Sequence, residues 1–599
     1  SSSGNVVIGA LGTPNIIQNI TFNAAASNAF TGIVTSTGNV TMNISHNSIR
    51  GIQFASALPT GSTCTGINST APVSGSVTIS NNTLGITGTN FATYTAACSG
   101  ALIGIRNSSG TASPAPVTIS NNDIQGISHA GATSSTHTYI NNLGGNSGLN
   151  LNNNTFTNLN INTTGAVIFI TNSAGMTASS TKNVNNNSIV TGFVKTGATG
   201  SVTVFTDNSA SSSASIINNL NNNFSNITIS GTTSMTGWSS SELSNPPRTI
   251  TGNTFDNWTL GTTAVAVMNN QGFGGNSTIS SNTISNITST GAITGVNIGN
   301  IGNATTFNVN SNSITNLTSS GAGGTVIGLN NTQPATTLTN NTNLNTITGL
   351  SSTAGAVTGI ASSSASPTKA ISNNTIGTLS SAGNVVSAIS SSNGTTITIS
   401  TNGITGITGT SVTGTSIVSG ISVTGGAAIS ITNNPISTLS SANDGSFRGI
   451  YVSPLGATSN TISGNTINGM TSTSTGVGFS VRAIEVQGTN NATITSNTIS
   501  NINSPTTNVT AGVGTPIVGL YYGSSGAAST ITGNTISALN ATTAGAINVS
   551  LAAMVTANTA AGGTIAKNRI YGLTNAKSGA LANAIGFVPN GGNWTFANN

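Results

Sequence analysis

A short polar phrase recurs along the chain at a nearly constant spacing, and this repeat limits the possible fold more than any other feature. One copy reads STISSNTISNITSTGA, residues 277–292. It has an apolar residue, Ile279, then Asn282 three positions later, and further apolar residues at Ile284 and Ile287. Helical repeats need helix-forming residues with a period of about 3.6, which this phrase lacks. The repeat therefore predicts β-structure.

The Asn of this motif, called the anchor Asn below, recurs about every 32 residues, and the residue two positions after it is apolar in all 18 copies. The final NWTFANN begins a further copy, so we expect the native polypeptide to continue beyond Asn599. The anchor positions are Asn15, Asn47, Asn82, Asn122, Asn154, Asn187, Asn222, Asn253, Asn282, Asn312, Thr342 in place of Asn, Asn374, Asn402, Asn434, Asn465, Asn497, Asn534 and Asn568.

Each copy contains three short runs typical of strands: one before the anchor, one after it, and a third such as AITGV at 292–296. Runs rich in Ile, Val and Thr and bounded by Asn and Gly predict strands joined by tight turns. Stacked coils would place equivalent strands side by side in parallel sheets, and crossovers between parallel strands are right-handed. We predict an all-β, right-handed parallel β-helix of about 18 coils with three short strands each, continuous over residues 1–599.

The anchor Asn has a structural explanation in such a fold. Asn tolerates left-handed backbone geometry at a bend, and identical amides stacked at the strand spacing can hydrogen-bond into a ladder. We therefore expect the anchors to form a buried ladder rather than a ligand site.

The composition excludes several functions. Charged residues make up only 3% of the chain, and the 11 Lys and Arg residues form no cluster, so neither nucleic acid nor an anionic membrane surface is an expected partner. Hydrophobic residues make up 35% at fixed positions, which favours a folded chain over a disordered one. No apolar run approaches the roughly 20 residues of a membrane span.

The phrases TISNNTL at 78–84, TISSNTISNIT and TITGNTISAL carry a resemblance to a known group of proteins. The chain resembles the repetitive β-helix regions of large secreted proteins from Bacteroidota, many of which are exported by type IX secretion. This resemblance implies a bacterial cell-surface or extracellular adhesin, stalk or matrix component, with flanking domains in the same polypeptide. The same fold also occurs in pectin-cleaving enzymes and phage tailspikes, so those classes remain alternatives.

The two cysteines, Cys64 and Cys98, lie 17 and 16 residues after their anchors Asn47 and Asn82. The same phase in adjacent coils would place their Cα atoms about one strand spacing apart, within the usual range for a disulfide. A disulfide would indicate an oxidising, extracytoplasmic compartment. The alternative is two free thiols in loops.

The residues that usually perform catalysis or bind metals are sparse. The three histidines follow no metal-ligand spacing, so we expect no metal and no cofactor. Polysaccharide hydrolysis needs two neighbouring carboxylates, but the six acids lie in different coils, so no catalytic residue is predicted. These residues are His46, His129 and His137, and Asp123, Asp207, Glu242, Asp256, Asp444 and Glu485.

The least uniform face lies on three successive third strands, FRGIYV, VRAIEV and VGLYY. In register, Arg448 stacks on Arg482, and Tyr451, Glu485 and Tyr521 form an outward column. Aromatic and charged side chains on a rigid strand face are suited to hold sugars. The alternative is an ordinary solvated face.

The function predicted from these features is a non-catalytic extracellular rod that forms part of an adhesin or filament, because repeats of this kind build extended scaffolds. A polysaccharide-binding or polysaccharide-cleaving β-helix protein is the main alternative, with polysaccharide or other cell-surface components as partners. An ice-binding surface is a third, and it requires outward Thr residues in aligned ranks.

Overall fold

The computed structural model describes residues 4–24, 27, 29–57, 59, 61–109, 116–130, 133–261, 264–383, 385–410, 416–442, 444–454, 459–476 and 478–599, with the backbone alone at 543 and 544. The chain divides into two compact units. The first unit comprises Ser1–Gly291 with Val296–Phe307, and the second comprises Ala292–Gly295 with Asn308–Asn599. That the whole chain is one continuous region stays a prediction.

The chain folds as an all-β parallel β-solenoid of about 18 turns, with three strands per turn and three sheets. The predicted architecture is confirmed. The only helical segment among the described residues is one 3₁₀ turn at Gly512–Gly514. Within each unit, equivalent strands of neighbouring coils pair in parallel, so neighbouring coils share one core.

The strands are grouped below by their position relative to the anchor Asn. Sheet 1 contains the strands that precede the anchor: Asn5–Ile8, Asn39–Ser45, Val73–Ser80, Val117–Ser120, Leu149–Asn152, Thr181–Asn185, Ile216–Leu220, Arg248–Thr251, Asn276–Ser280, Thr306–Asn310, Thr339–Asn343, Thr368–Ser372, Thr396–Ser400, Ala428–Thr432, Ser459–Ser463, Ala492–Thr495, Ser529–Thr532, Gly562–Ala566 and Asn593–Ala597. Sheet 2 contains the strands that follow it: Ile16–Phe22, Ser48–Phe54, Thr83–Leu84, Ala92–Tyr94, Asp123–His129, Thr155–Ile161, Ser188–Ile189, Phe193–Lys195, Ile227–Ile229, Thr254–Thr259, Thr283–Ser289, Ser313–Ser319, Thr346–Ser352, Thr375–Ser381, Gly403–Gly409, Pro435–Ser441, Thr466–Ser472, Thr498–Ser504, Thr535–Gly545 and Arg569–Lys577. Sheet 3 contains the third strands: Ala29–Thr35, Thr63–Ser69, Ala101–Asn107, His137–Asn142, Val167–Asn172, Ser201–Asp207, Ser234–Ser241, Val265–Gln271, Ile293–Ile298, Val326–Asn331, Val357–Ser362, Val386–Ser391, Val418–Val423, Ser446–Val452, Ser480–Val486, Ile517–Tyr522, Leu551–Thr556 and Ala584–Pro589.

The apolar positions of the motif form columns inside the solenoid. Ile284 and Ile287 are fully buried and lie in register with Phe255 and Trp258 of the preceding coil. Because side chains alternate along a strand, the intervening hydroxyl residues face outward.

The left-handed bend lies one residue before the anchor, not at the anchor itself as predicted. Asn81, Ser281 and Asn433 occupy this position with φ of 56°, 53° and 56°. A second left-handed residue occurs four positions after the anchor, as at Asn286 with φ 53° and Gly406 with φ 68°. Asn and Gly suit these positions because their left-handed conformation costs little energy.

The anchor side chains form a hydrogen-bonded ladder, and an interior anchor such as Asn82 uses the full bonding capacity of its amide. Oδ1 of Asn82 accepts bonds from the backbone N–H and the side-chain Nδ2 of Asn47, at 3.0 and 2.9 Å. Its Nδ2 donates to Oδ1 of Asn122 and to the carbonyl oxygen of Ile44, at 2.9 and 3.0 Å. A buried amide without these partners would be costly, so the ladder explains why Asn is repeated.

The ladder is continuous within each unit. In the first unit it comprises Asn15, Asn47, Asn82, Asn122, Asn154, Asn187, Asn222, Asn253 and Asn282. In the second unit it comprises Asn312, Asn345, Asn374, Asn402, Asn434, Asn465, Asn497, Asn534, Asn568 and Asn599.

The prediction that Thr342 substitutes for an anchor is wrong. Asn345 occupies the ladder in that coil, because its Oδ1 accepts from Asn312 and its Nδ2 donates to Asn374, at 2.9 and 3.0 Å. Thr342 lies instead on sheet 1, in register with Ile371. Both Thr342 and Asn345 precede an apolar residue by two positions, so hydropathy could not distinguish them, whereas the hydrogen-bond geometry does.

Candidate functional site

The charged and aromatic face predicted on sheet 3 lies in the second unit, on three successive strands. Arg448 is in register with Arg482, and Glu485 lies between Tyr451 of the preceding coil and Tyr521 of the next. The strand register therefore brings together all five side chains of the predicted ligand column.

Charge pairing dominates this face. Oε2 of Glu485 accepts a bond from Nε of Arg448 at 2.7 Å, and Oε1 accepts from the Arg482 guanidinium at 2.6 Å. Nε2 of Gln487 donates to the same Oε1 at 2.9 Å. The Glu485 side chain is only 2% exposed, so its carboxylate is enclosed by its own partners.

Each arginine also covers one aromatic ring. The Arg448 guanidinium lies 4.0 Å from the ring centre of Tyr451, and that of Arg482 lies 3.7 Å from the ring centre of Tyr521. These are cation–π distances. Since a sugar would need an open ring face on which to stack, this arrangement favours a structural role for both rings.

The electrostatics of Glu485 do not suit acid–base catalysis at neutral pH. Burial favours the neutral carboxyl, but the charges of Arg482 and Arg448 and the hydrogen bond from Gln487 outweigh burial and lower the pKa of Glu485. A general acid requires the opposite shift, towards the working pH. The carboxylate therefore has the properties of a fixed structural ion.

The outer face of sheet 3 is covered around Tyr521, so the prediction of an exposed column is wrong there. Tyr521 is 9% exposed and belongs to an outer cluster with Val518, Ala552 and Val555. Val513, from the segment that contains the 3₁₀ turn, packs against this cluster. A strand that is buried on both faces has a continuous run of apolar residues in its sequence. The sheet 3 strand Ile517–Tyr522, with the sequence IVGLYY, is such a strand.

The remaining acids also have structural partners. Asp123 accepts bonds from Thr155 and Thr157, Asp256 accepts from Ser285 and Asn286, and Ser474 donates to Asp444.

A buried ion cluster in the first unit was missed in the sequence analysis. Nζ of Lys182 lies 2.8 Å from Oδ2 of Asp207 and 2.6 Å from Oε1 of Glu242, and all three side chains are at most 1% exposed. The sequence feature that could have indicated this cluster is Lys182, because this lysine occupies an inward position on sheet 1 between Leu149 and Ile217. The two acids lie at the ends of adjacent sheet 3 strands, where the register brings them together.

Arg248 completes this cluster and is fully buried. Its guanidinium donates to the carbonyl oxygen of Gln271 at 2.7 Å and to Oγ of Ser240 at 2.7 Å, and it lies over the ring of Phe273. Burial lowers the pKa of Arg248, while Glu242 and, more weakly, Asp207 act in the opposite direction. Two cations and two carboxylates therefore share one buried region.

The cysteines do not have the equal phase that was predicted. Cys64 is in register with Leu102, four residues after Cys98, because the coil from Asn82 is unusually long at 40 residues. Both are buried free thiols, so the predicted disulfide is not present in this structure. Together with Tyr94 they line a packing gap that has no room for a water molecule, and burial raises the pKa of both thiols.

Two of the histidines lie together in the first unit. The rings of His129 and His137 are 5.2 Å apart, and Ser135 lies 3.0 Å from Nε2 of His137. Burial lowers the pKa of His129 to about 4 and that of His137 also falls. In the described part of the chain, no group of three or more His, Cys, Asp or Glu side chains is placed to hold a metal ion.

The outward Thr positions of sheet 1 form one aligned rank in the second unit. Its five members are in register from coil to coil: Thr461, Thr493, Thr530, Thr564 and Thr595. In the preceding coils of this unit the same column is mixed, and it contains Ser430, Thr398, Ala370 and Asn341. Ice binding stays a prediction, which thermal hysteresis would measure.

Comparisons with known proteins leave the family open. No family model matches the chain, and no curated protein matches it. Among solved structures, the chain is similar to one described as "Structure of PL6 family alginate lyase AlyGC", with 10% identity, 98% of this chain and 96% of the other covered, and a TM-score of 0.22. A TM-score this low carries no argument about function. Among the described residues, no helix has the length and apolar character needed to cross a membrane.

Proposed function

We propose that this chain is a non-catalytic structural and adhesive solenoid of a bacterial cell-surface or extracellular assembly. One observation carries the proposal: each of the six carboxylates hydrogen-bonds or ion-pairs within the fold, as described above. Glycoside cleavage needs carboxylates that can reach substrate. Three of these carboxylates are at most 2% exposed: those of Asp207, Glu242 and Glu485.

The composition supports the same function. With 3% charged residues, the surface consists largely of hydroxyl and amide groups, and these can form many weak hydrogen bonds to neutral polymers. An adhesive surface of this kind gains strength from repetition, because many weak contacts on one scaffold act together.

Polysaccharide binding without cleavage is the second candidate, and it rests on one groove in the second unit. Hydroxyl residues of three successive coils line a space of about 210 Å³: Thr408, Thr410, Ser440, Ser441, Thr471 and Thr473. Hydroxyl groups on a rigid scaffold are suitable partners for sugar hydroxyls.

Two measurements test the non-catalytic proposal. The purified chain is incubated with a panel of neutral and uronate polysaccharides, and reducing ends and the ultraviolet absorbance of unsaturated products are followed. We expect no release of either. Product release that disappears in Glu485→Gln would overturn the proposal.

Location is tested on intact producing cells by immunogold labelling with an antibody to this chain, before and after mechanical shear. We expect label on shear-sensitive filaments or patches. Label found only on free molecules in the medium would contradict a surface scaffold.

Binding in the groove is tested by affinity electrophoresis in polysaccharide gels. Thr473→Lys places a long charged side chain in the groove and should abolish retardation, whereas Thr466→Lys, at an exposed position at the far end of the strand Thr466–Ser472, should leave it unchanged. Equal retardation of both variants and the parent chain would exclude this groove.

A further inference from the structure

The Lys182 amine lies between two carboxylates in the interior of the first unit. Its Nζ is 2.8 Å from Oδ2 of Asp207, 2.6 Å from Oε1 of Glu242 and 2.6 Å from Oγ of Ser209. None of the three charged side chains is more than 1% exposed. An acyl group and a proton acceptor are therefore both within hydrogen-bond reach of one amine, away from solvent.

The surroundings make separated charges unfavourable. On sheet 1, Lys182 lies between Leu149 and Ile217, both at inward positions. Buried charges are costly even when paired, and a buried pair is weak evidence for stability. Condensation of the amine with one carboxylate would remove one positive and one negative charge from this interior.

We propose that Lys182 and Asp207 are joined by an intramolecular amide bond, and that Glu242 transfers the protons that this condensation requires. The bond would be a covalent staple within one coil, between the sheet 1 strand Thr181–Asn185 and the end of the sheet 3 strand Ser201–Asp207.

Each carboxylate accepts one backbone N–H at 3.1 Å, from Ser209 to Asp207 and from Ser211 to Glu242. Oδ1 of Asp207 accepts a bond from the backbone N–H of Ser209 at 3.1 Å, which would stabilise the negative charge that develops on that oxygen during attack. Oδ2, the oxygen nearer to Nζ, would be the one that leaves. Glu242, whose Oε1 is 2.6 Å from Nζ, is the second carboxylate in contact with the amine and is therefore assigned the proton transfer.

The step balances without any further reagent. Glu242 takes a proton from the Lys182 ammonium, and the free amine attacks Cγ of Asp207, forming the C–N bond. Glu242 then passes that proton to Oδ2, a second proton from the nitrogen follows it, and the C–Oδ2 bond breaks. One ammonium and one carboxylate become one amide and one water, and the net charge is unchanged. Positioning of this kind replaces an encounter in solution by a reaction between neighbours.

The amide would tie together residues that are 25 positions apart. A cross-link of this kind limits the conformations of the unfolded chain, as a disulfide does. Unlike a disulfide, the amide is insensitive to reductants. For an extended scaffold under mechanical load, such a staple would hold this coil closed.

Intact mass spectrometry of the denatured, purified 599-residue chain tests the proposal directly. We expect a mass lower than the sequence mass by one water, and a proteolytic digest should contain a branched peptide joining the segments of Lys182 and Asp207. The full sequence mass in a folded chain would overturn the proposal. A branch to Glu242 instead would overturn the assignment of roles.

Glu242→Gln removes proton transfer but retains the amine and the Asp207 carboxyl. This variant should have its full sequence mass, with the cross-linked peptide absent, while circular dichroism shows the β-structure retained. Loss of water in this variant would show that Glu242 is not required. Lys369 serves as an internal control, because in the described part of the chain its buried Nζ donates to the carbonyl oxygens of Ser362, Ser364 and Ser392 and to no carboxylate, and its peptide should be unmodified.

Discussion

The side-chain nitrogen of Asn465 lies 3.0 Å from the side-chain oxygen of Asn497, and Asn465 in turn accepts a bond from Nδ2 of Asn434 at 2.9 Å. The same donor and acceptor therefore face each other at every step of the ladder. An amide satisfies this pattern, whereas a carboxylate of the same shape cannot.

Asn465→Asp should destabilise its coil strongly. The carboxylate would place an oxygen against Oδ1 of Asn497 and the carbonyl oxygen of Ile431, where an N–H now donates. We expect the free energy of local opening to fall by about 3 kcal/mol, measured by hydrogen exchange over residues 459–472.

Asn468→Asp is the matched control for this substitution. The exposed Oδ1 of Asn468 only accepts bonds, from Ser500 and Asn501, so a carboxylate can replace it. We expect hydrogen exchange to change little. Equal effects of the two substitutions would contradict the role of the ladder.

The assignment of Asn345 as the anchor of its coil can be tested by substitution. Asn345→Ala should lower the free energy of local opening by about 2 kcal/mol, because it removes the buried Oδ1 to which Asn312 donates and the Nδ2 that donates to Asn374. Thr342→Val should change it by less than about 1 kcal/mol, because the valine fits beside Ile371 and the backbone carbonyl that accepts from Asn374 is retained. A larger loss of free energy in Thr342→Val than in Asn345→Ala would indicate that Thr342 is the anchor.

Lys369 should make stability depend on pH. Burial lowers its pKa to about 7, from 10.5 in an ordinary lysine, so the folded chain disfavours the charged form. Stability should therefore fall as the pH decreases from about 10.5 to 7 and then become constant, because the unfolded chain binds the proton first.

Lys369→Met should raise the unfolding midpoint of the second unit at pH 7 and remove this dependence on pH. Urea unfolding between pH 6 and 10 measures it. Lys567→Met, at an exposed position, is the control and should retain the slope. A Lys369→Met variant with the original slope would show that another group is responsible.

Glu485→Gln should destabilise the outer face of sheet 3. The pKa of Glu485 is lowered, so the ion pairs contribute fully above about pH 4.5 and are lost as the pH falls through the folded-state pKa. At pH 7 we expect a loss of about 1 to 2 kcal/mol, limited because Arg448 and Arg482 are 16% and 17% exposed. The difference from the parent chain should vanish in acid, and a constant difference at every pH would contradict ion pairing.

The two cysteines should react only after unfolding. Both are buried and the pKa of each is raised, whereas the reactive species is the thiolate. We expect an aromatic disulfide reagent to detect no thiol in the native chain and two in denaturant without reductant. No thiol under either condition would show that Cys64 and Cys98 are joined by a disulfide.

The spacing of Ile, Asn and Ile along the sequence was sufficient to predict parallel strands, their number per coil and the ladder of anchors. This succeeded because each coil repeats one local pattern, and neighbouring coils impose the same environment on equivalent residues. The pattern failed where two registers were equally apolar, as at Thr342 and Asn345. It also failed at Cys64 and Cys98, because counting from the anchor ignores insertions in the coil.

The sequence by itself determined the solenoid, since a period-two apolar pattern interrupted by left-handed bends can bury its core only by stacking coils. Only the tertiary structure decided which polar side chains meet. Lys182, Asp207 and Glu242 are distant in sequence and share no motif, yet the turns of two adjacent coils direct them to one buried point. The same is true of the cover over Tyr521, which depends on packing between segments rather than on any local preference.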